Sequence, residues 1–105
     1  HKTAIPAWQK TIKDMRSVRV AIISGALVTG SASPVDLLLV GDVSSAKSKS
    51  LVAMIEKAEG RELSYSVLTY DEFYYRLSVR DKFINSILTN KPVVLVDADN
   101  ILKLQ

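Results

Sequence analysis

Residues 18–42 constrain the fold more than any other part of this chain. A β-rich run at residues 18–23 ends at Gly25, and a second run, residues 35–40, is apolar at every position except Asp36. A strand that is apolar on both faces is typical of the interior of a sheet. The stretch therefore predicts a strand, a glycine-containing loop that we expect to include a short helical turn, and a central strand that carries a carboxylate near its beginning.

The rest of the chain alternates helical and extended patterns. Helices are predicted over residues 6–16, 44–59, 70–77 and 79–89, and strands over residues 61–68 and 92–96. The apolar stripe of the second helix is expected at Leu51, Met54, Ile55 and Ala58. Hydroxyl and carboxylate residues at the predicted helix starts are typical N-caps: Ser44 or Ser45, Thr69 with Glu72, Ser78 with Asp81, and Asp97 or Asp99.

This order predicts an α/β (α+β) fold with a small mixed β-sheet and helices mainly on one face. A length of 105 residues suits a single domain, residues 1–105, in which residues 1–16 form an N-terminal helix and residues 17–105 the core. The longest apolar runs fall short of the roughly 20 residues that cross a membrane, and no signal peptide is visible. We therefore expect a cytoplasmic protein without a membrane partner.

Composition excludes several classes of site. There is no cysteine, which excludes disulfides and thiolate metal sites, and the single histidine is His1, which excludes Ser-His-Asp and Cys-His catalysis. The net charge is +3, and basic residues gather near the N-terminus at Lys2, Lys10, Lys13, Arg16 and Arg19. Because no stacking aromatics are interleaved with them, a solvated helix face is favoured over a nucleic-acid patch. Direct nucleic-acid contact is not predicted.

Aromatic residues concentrate in the predicted helix over residues 70–77. Phe73 and Leu77 have the spacing of core positions, whereas Tyr70 and Tyr74 share a side of the helix. Core and boundary packing is favoured for this cluster, and an aromatic contact surface is the alternative.

The glycine loop superficially fits a phosphate-binding loop. Gly25 and Gly30 have the spacing of that motif, but its essential lysine is replaced by Ser31. A strand follows within a few residues where the motif needs a helix. A P-loop is therefore not predicted.

A second motif fits better. Residues 22–26 form a strand that ends in Ser24, Gly25 and Ala26. Residues 34–36 precede a strand of the form Leu-Leu-Leu-Val, and Gly41 closes that strand. This arrangement resembles the signature of the DNA polymerase β-like nucleotidyltransferase superfamily, in which a strand ends in Gly-Ser and an Asp-x-Asp opens the next strand. In the resemblance, Gly25 and Ala26 take the place of Gly-Ser, and residues 34–36 that of Asp-x-Asp.

The resemblance continues through the chain. Residues 60–63, 69–73 and 90–96 are similar, in order, to the later helix and strand motifs of minimal nucleotidyltransferase domains, so that it covers residues 17–105. It is greatest to the branch found C-terminal to a winged helix-turn-helix in prokaryotic transcriptional regulators. The resemblance implies the nucleotidyltransferase fold. It also implies that the partner of this domain is a DNA-binding domain that precedes it in the same protein, or another protein.

The chain departs from the family pattern at the residues that carry chemistry. Ala26 replaces the serine, Pro34 replaces the first carboxylate, and no third carboxylate is evident on the strand that follows Glu62. Nucleotidyl transfer needs two or three carboxylates that hold divalent metal. Asp36 alone does not provide such a site. We interpret it as a retained acceptor for hydrogen bonds from the loop over residues 25–33.

These departures predict a non-catalytic nucleotidyltransferase-like domain that acts as a regulatory or interaction module and needs no cofactor. Two alternatives stay open. One is a metal-dependent nucleotidyltransferase, in which Asp36 is catalytic and binds Mg²⁺. The other is a nucleotide-sensing domain without turnover, in which the backbone of Gly25, Ala26, Gly30 and Ser31 binds the nucleotide. Homo-oligomers are compatible with each reading.

Overall fold

The computed structural model describes residues 6–28 and 33–102. Within these residues the chain forms four α-helices, four strands and one 3₁₀ turn, the last over Gly25–Leu27. The helices are α1 (Ala7–Asp14), α2 (Ser45–Glu59), α3 (Tyr70–Ser78) and α4 (Lys82–Leu88). The strands are β1 (Val18–Ile23), β2 (Leu37–Gly41), β3 (Tyr65–Leu68) and β4 (Val93–Asp97). The elements predicted between residues 6 and 96 are present, although α1, β3 and α4 are shorter than expected. The small terminal helix that the sequence predicts after Asp97 or Asp99 falls partly outside the described residues and stays a prediction.

The four strands form one mixed sheet in the order β3-β2-β1-β4. Strand β1 is antiparallel to both of its neighbours, and β2 is parallel to β3. All five residues of β2 are buried, as an internal strand requires. The predicted α/β class, the mixed sheet and the central place of β2 are confirmed.

The helices cover both faces of the sheet, whereas the prediction placed them mainly on one. Leu37 and Leu39 of β2 share a core with residues of α1 and α2, while Leu38 and Val40 share a second core with residues of α3 and α4. Successive side chains of a strand point to opposite faces. Because β2 is apolar at consecutive positions, each face needs its own cover, and the fold has helices in two outer layers.

The buried stripe of α2 lies three residues, about one turn, nearer the N-terminus than predicted. Its buried residues are Ser48, Leu51, Val52 and Ile55. Met54 keeps 39% of its surface exposed, and Ala58 is exposed as well, so their assignment to the core was wrong. The buried Ser48 hydroxyl is compatible with this face because it donates a hydrogen bond to the Ser45 carbonyl at 3.0 Å.

The predicted caps are confirmed at several helix ends. The hydroxyl of Ser44 accepts a hydrogen bond from the Lys47 N–H at 3.2 Å, and Gly60 ends α2 with a left-handed φ of +71°. Thr69 accepts from the Glu72 N–H at the start of α3 as predicted, and Asp97 accepts from the N–H groups of residues 101 and 102. At α4 the predicted cap, Ser78, was wrong: Ser78 is the last residue of α3, and Asp81 caps α4 by accepting from the Ile84 N–H. No helix in the described part of the chain has the length and apolarity of a membrane span.

Candidate functional site

The site suggested by the sequence lies where β1 ends and β2 begins. Ile23 pairs with Leu37 across the two antiparallel strands, and the Ser24 N–H donates to the Asp36 carbonyl at 3.0 Å. The chain then makes its 3₁₀ turn, closed by the Leu27 N–H on the Ser24 carbonyl at 3.1 Å. The turn is therefore held directly beside Asp36.

The carboxylate of Asp36 accepts three hydrogen bonds from the residues that the structure describes. Oδ1 accepts from the Ala26 N–H at 2.7 Å, and Oδ2 accepts from the Ser64 N–H at 3.0 Å and from the Ser64 hydroxyl at 3.4 Å. Two carboxylate oxygens offer about four acceptor positions, so most of them are used. One half-buried side chain thus connects the turn, the start of β2 and the segment that leads into β3.

Ser64 reaches Asp36 because β2 and β3 are parallel. The register places Leu37 beside Tyr65, and the residues just before them are then neighbours. The Asp36 N–H donates to the Ser64 carbonyl at 2.8 Å, while the Asp36 carboxylate accepts from the Ser64 N–H. One backbone bond and one bond to the side chain thus join the two segments just before the strands begin to pair. Sequence reasoning missed Ser64, because nothing local in the sequence specifies the register between two strands.

Only glycine fits at position 25, because the turn lies so close to the same carboxylate. Its φ is +57°, and a Cβ at this position would lie 2.2 Å from Asp36 Oδ1 and 3.2 Å from the Val35 carbonyl oxygen. A side chain here would push the carboxylate off the Ala26 N–H. The glycine therefore permits the close approach of the turn to Asp36.

Ser24 and Arg61 complete the surroundings of the turn, and sequence reasoning assigned neither. Ser24 is fully buried, and its hydroxyl donates to the Val35 carbonyl at 2.8 Å. The exposed Arg61 donates from Nη1 to the Ala26 carbonyl at 3.3 Å. Arg61 thus brings a cation to the outer side of the turn.

The predicted nucleotide-binding residues divide into two groups. Gly25 and Ala26 lie in the turn, where the Ala26 N–H is already engaged by Asp36. Gly30 and Ser31 lie outside the described residues. Pro34 is exposed and offers no side-chain ligand, and Glu62 is exposed ahead of β3.

The described donor set does not fit a two-metal site. In residues 6–28 and 33–102, no group of three or more histidine, cysteine, aspartate or glutamate side chains is placed to hold a metal ion. Asp36 is the predicted ligand, and its oxygens face backbone N–H groups and a hydroxyl rather than a second carboxylate. Metal-assisted transfer needs carboxylates that share the ions. No catalytic step through a metal follows from this arrangement.

A second polar cluster joins α3 to α4. Arg76 donates to Asp81 at 3.1 Å and to Glu72 at 3.3 Å. The backbone N–H of Ile84, aided by Arg76, holds the pKa of Asp81 below its ordinary value. The hydrogen bonds to Asp81 and Glu72 raise the pKa of Arg76. Each charge has an opposite partner and Asp81 also caps α4, so the cluster links the last turns of α3 to the start of α4.

Comparison with protein-family models, with curated proteins and with solved structures finds no match to this chain.

Proposed function

We propose that this chain is a non-catalytic, nucleotidyltransferase-like domain that serves as a regulatory or interaction module. In this proposal the strand–turn–strand segment is kept for folding rather than for chemistry. The proposal builds on the resemblance of residues 17–105 to minimal nucleotidyltransferase domains and on the geometry around Asp36. It includes a role within a transcriptional regulator, with a DNA-binding domain or another protein as the partner.

The observation that carries the proposal is the orientation of the Asp36 carboxylate. Both of its oxygens accept hydrogen bonds from the protein's own backbone, at Ala26 and Ser64. A carboxylate that binds substrate-bound metal must direct lone pairs toward the ligand. To act in that way Asp36 would have to release the turn and the segment before β3, and removing such charge-assisted bonds costs about 1.5–3 kcal/mol each in protected surroundings.

Nucleotide binding without turnover is a second candidate, favoured by the position of Arg61. Its exposed guanidinium rests on the Ala26 carbonyl, at the outer side of the turn, and carries further N–H donors. A guanidinium recognises phosphate oxygens with two parallel hydrogen bonds. Arg61 could supply such a contact without help from Asp36, so that this candidate needs no metal.

Calorimetric titration with ATP, GTP, CTP and UTP, with and without Mg²⁺, tests the proposal. We expect no saturable heat from the wild type. Micromolar, Mg²⁺-dependent binding that Asp36→Asn abolishes would overturn the non-catalytic assignment. Binding that is independent of Mg²⁺, lost in Arg61→Gln and kept in Arg80→Gln would establish the sensing candidate. Arg80 is a matched control because it is also an exposed arginine, two residues beyond the end of α3.

The interaction role has a test of its own. The regulatory output of the protein that contains this chain should be lost when residues 17–105 are deleted, and it should persist in Asp36→Asn. Output that survives the deletion would contradict the module, whatever the nucleotide titration shows.

A further inference from the structure

The carboxyl ends of β2 and β3 form a crevice at the end of the sheet opposite Asp36. The two strands are adjacent and parallel, so both end at the same edge of the sheet. The chain leaves β2 for α2 on one face of the sheet and leaves β3 for α3 on the other face. Ligands of open α/β sheets bind in the crevice outside such strand ends, where neighbouring connections go to opposite faces.

A cavity of about 410 Å³ lies in this crevice. Its size falls within the range of small-molecule sites, which is about 300–1,000 Å³. Gly41 at the end of β2 lines it, together with six residues that carry a hydroxyl, a guanidinium or a carboxylate group: Arg16, Ser17, Arg19, Asp42, Thr69 and Tyr70. The cavity therefore offers hydrogen-bonding and charged groups to a polar ligand.

A β-bulge at the start of β1 places an arginine in the crevice. The pairing of β1 with β2 shifts register between Val18 and Val20, which makes Arg19 the additional residue. Bulges re-aim side chains and are common next to functional sites. Gly41 permits this one, because its φ is +145° and a Cβ there would lie 2.0 Å from the Ser17 carbonyl oxygen.

Two opposite charges that line the cavity have no partner. Arg19 is already balanced, since its guanidinium pairs with Asp99 and lies 4.9 Å from the centre of the Tyr70 ring. Arg16 and Asp42 are exposed, and neither forms an ion pair with any of residues 6–28 and 33–102. A simple anion at Arg16 would be repelled by Asp42. A ligand that carries both charges would satisfy both residues.

We propose that this crevice binds a small zwitterion of the free amino-acid class. The Arg16 guanidinium binds the carboxylate of the ligand, and the Asp42 carboxylate accepts hydrogen bonds from its ammonium group. In a regulatory module the bound amino acid would act as the effector. The inference goes beyond the proposed function, because the crevice shares no residue with the surroundings of Asp36.

Titration of the whole ¹⁵N-labelled chain with each of the common amino acids, up to about 10 mM, tests this inference. We expect at least one of them to cause saturable shifts of the amides of residues 41, 42, 69 and 70, while the amides of Ala26 and Ser64 stay in place. The N-acetyl and the carboxamide derivatives of that amino acid each lack one charge. Each should bind at least about tenfold more weakly, because one charge-assisted contact is lost.

Variants connect each charge of the ligand to its residue. Arg16→Gln and Asp42→Asn should each weaken binding at least about tenfold, and N-acetylation should cost no further affinity in Asp42→Asn. Arg80→Gln and Glu62→Gln are matched controls, because both residues are exposed and lie outside the cavity, and their affinity should be unchanged. Circular dichroism and the fluorescence of Trp8, the single tryptophan, show whether each variant is folded.

Three results would overturn the inference. In the first, no amino acid shifts the amides that line the crevice. In the second, Arg16→Gln and Asp42→Asn both leave binding intact. In the third, acetate or inorganic phosphate binds as tightly as the amino acid, which would make the crevice a simple anion site. None of these results touches the non-catalytic assignment, which depends on the nucleotide titration.

Discussion

The change in stability that follows removal of the Asp36 carboxylate distinguishes a structural role from a catalytic one, because the two roles predict changes of opposite sign. If the carboxylate holds the turn, Asp36→Ala should destabilise the domain. If the carboxylate were held ready for a metal, its removal should leave the apo protein equally stable or make it more stable, because functional sites are commonly kept at a cost in stability.

The size of the loss follows from the three hydrogen bonds. Each hydrogen bond to a charged acceptor contributes about 1.5–3 kcal/mol when its loss leaves the donor without a partner and inaccessible to water. The donors here belong to Ala26 and Ser64, which are exposed, so water can replace much of each bond. We therefore expect a loss of about 2 kcal/mol in the free energy of unfolding rather than the full sum.

Urea denaturation followed by Trp8 fluorescence and circular dichroism measures this loss. Trp8 is buried in the core shared by α1 and α2, so its emission reports unfolding. With a urea slope of about 1–1.5 kcal/mol per molar, the midpoint should fall by roughly 1.3–2 M. Asp42→Ala, at an exposed aspartate just after β2, should change stability by less than about 0.5 kcal/mol. An Asp36→Ala variant as stable as the wild type would refute the reasoning.

Three further predictions follow from contacts described above. Gly25→Ala should lower the free energy of unfolding, measured in urea, by at least about 1 kcal/mol more than Gly60→Ala does. Both glycines have a positive φ, but only a Cβ at position 25 would meet the Asp36 carboxylate. Equal losses would contradict that close approach. The pKa of Asp81 is lowered in the folded state, so its charge stabilises the fold above its unfolded pKa and ceases to do so as the pH falls through the lowered value. The thermal midpoints of wild type and Asp81→Asn should therefore differ at neutral pH and converge as the solution is acidified, and a gap that widens in acid would contradict the sign. Ile55→Ala should lower the free energy of unfolding by about 3 kcal/mol, and Met54→Ala by less than about 1 kcal/mol, because Ile55 is buried and Met54 is exposed. The reverse order would contradict the observed buried face of α2.

The elements of the fold are readable from local patterns, whereas their packing depends on information that those patterns lack. The unbroken apolarity of β2 predicts an internal strand, and that prediction is confirmed. The same apolarity requires cover on both faces, which the expectation of helices mainly on one face overlooked. In α2 the buried stripe begins three residues earlier than predicted. Its first member is Ser48, whose hydroxyl is hydrogen-bonded within the helix, whereas the prediction admitted only apolar residues.

The candidate site is predictable only in part for a similar reason. The sequence places Asp36 beside a glycine turn and indicates an acceptor role, and the structure shows the Ala26 N–H as a donor to it. The second donor, Ser64, is 28 positions away and depends on the parallel register of β2 and β3. Arg61 reaches the turn by a side-chain contact that has no local signature. Gly30 and Ser31 lie outside the described residues and stay predictions.

The most direct test of the central claim is to observe the two amides that donate to Asp36. In ¹⁵N-labelled protein, the Ala26 and Ser64 N–H resonances should be slow to exchange, and both should lose protection in Asp36→Ala. The account predicts that neither resonance moves when Mg²⁺ and nucleoside triphosphates are added. Saturable, Mg²⁺-dependent shifts of both amides would show that the carboxylate leaves the turn to bind metal, and would contradict the account.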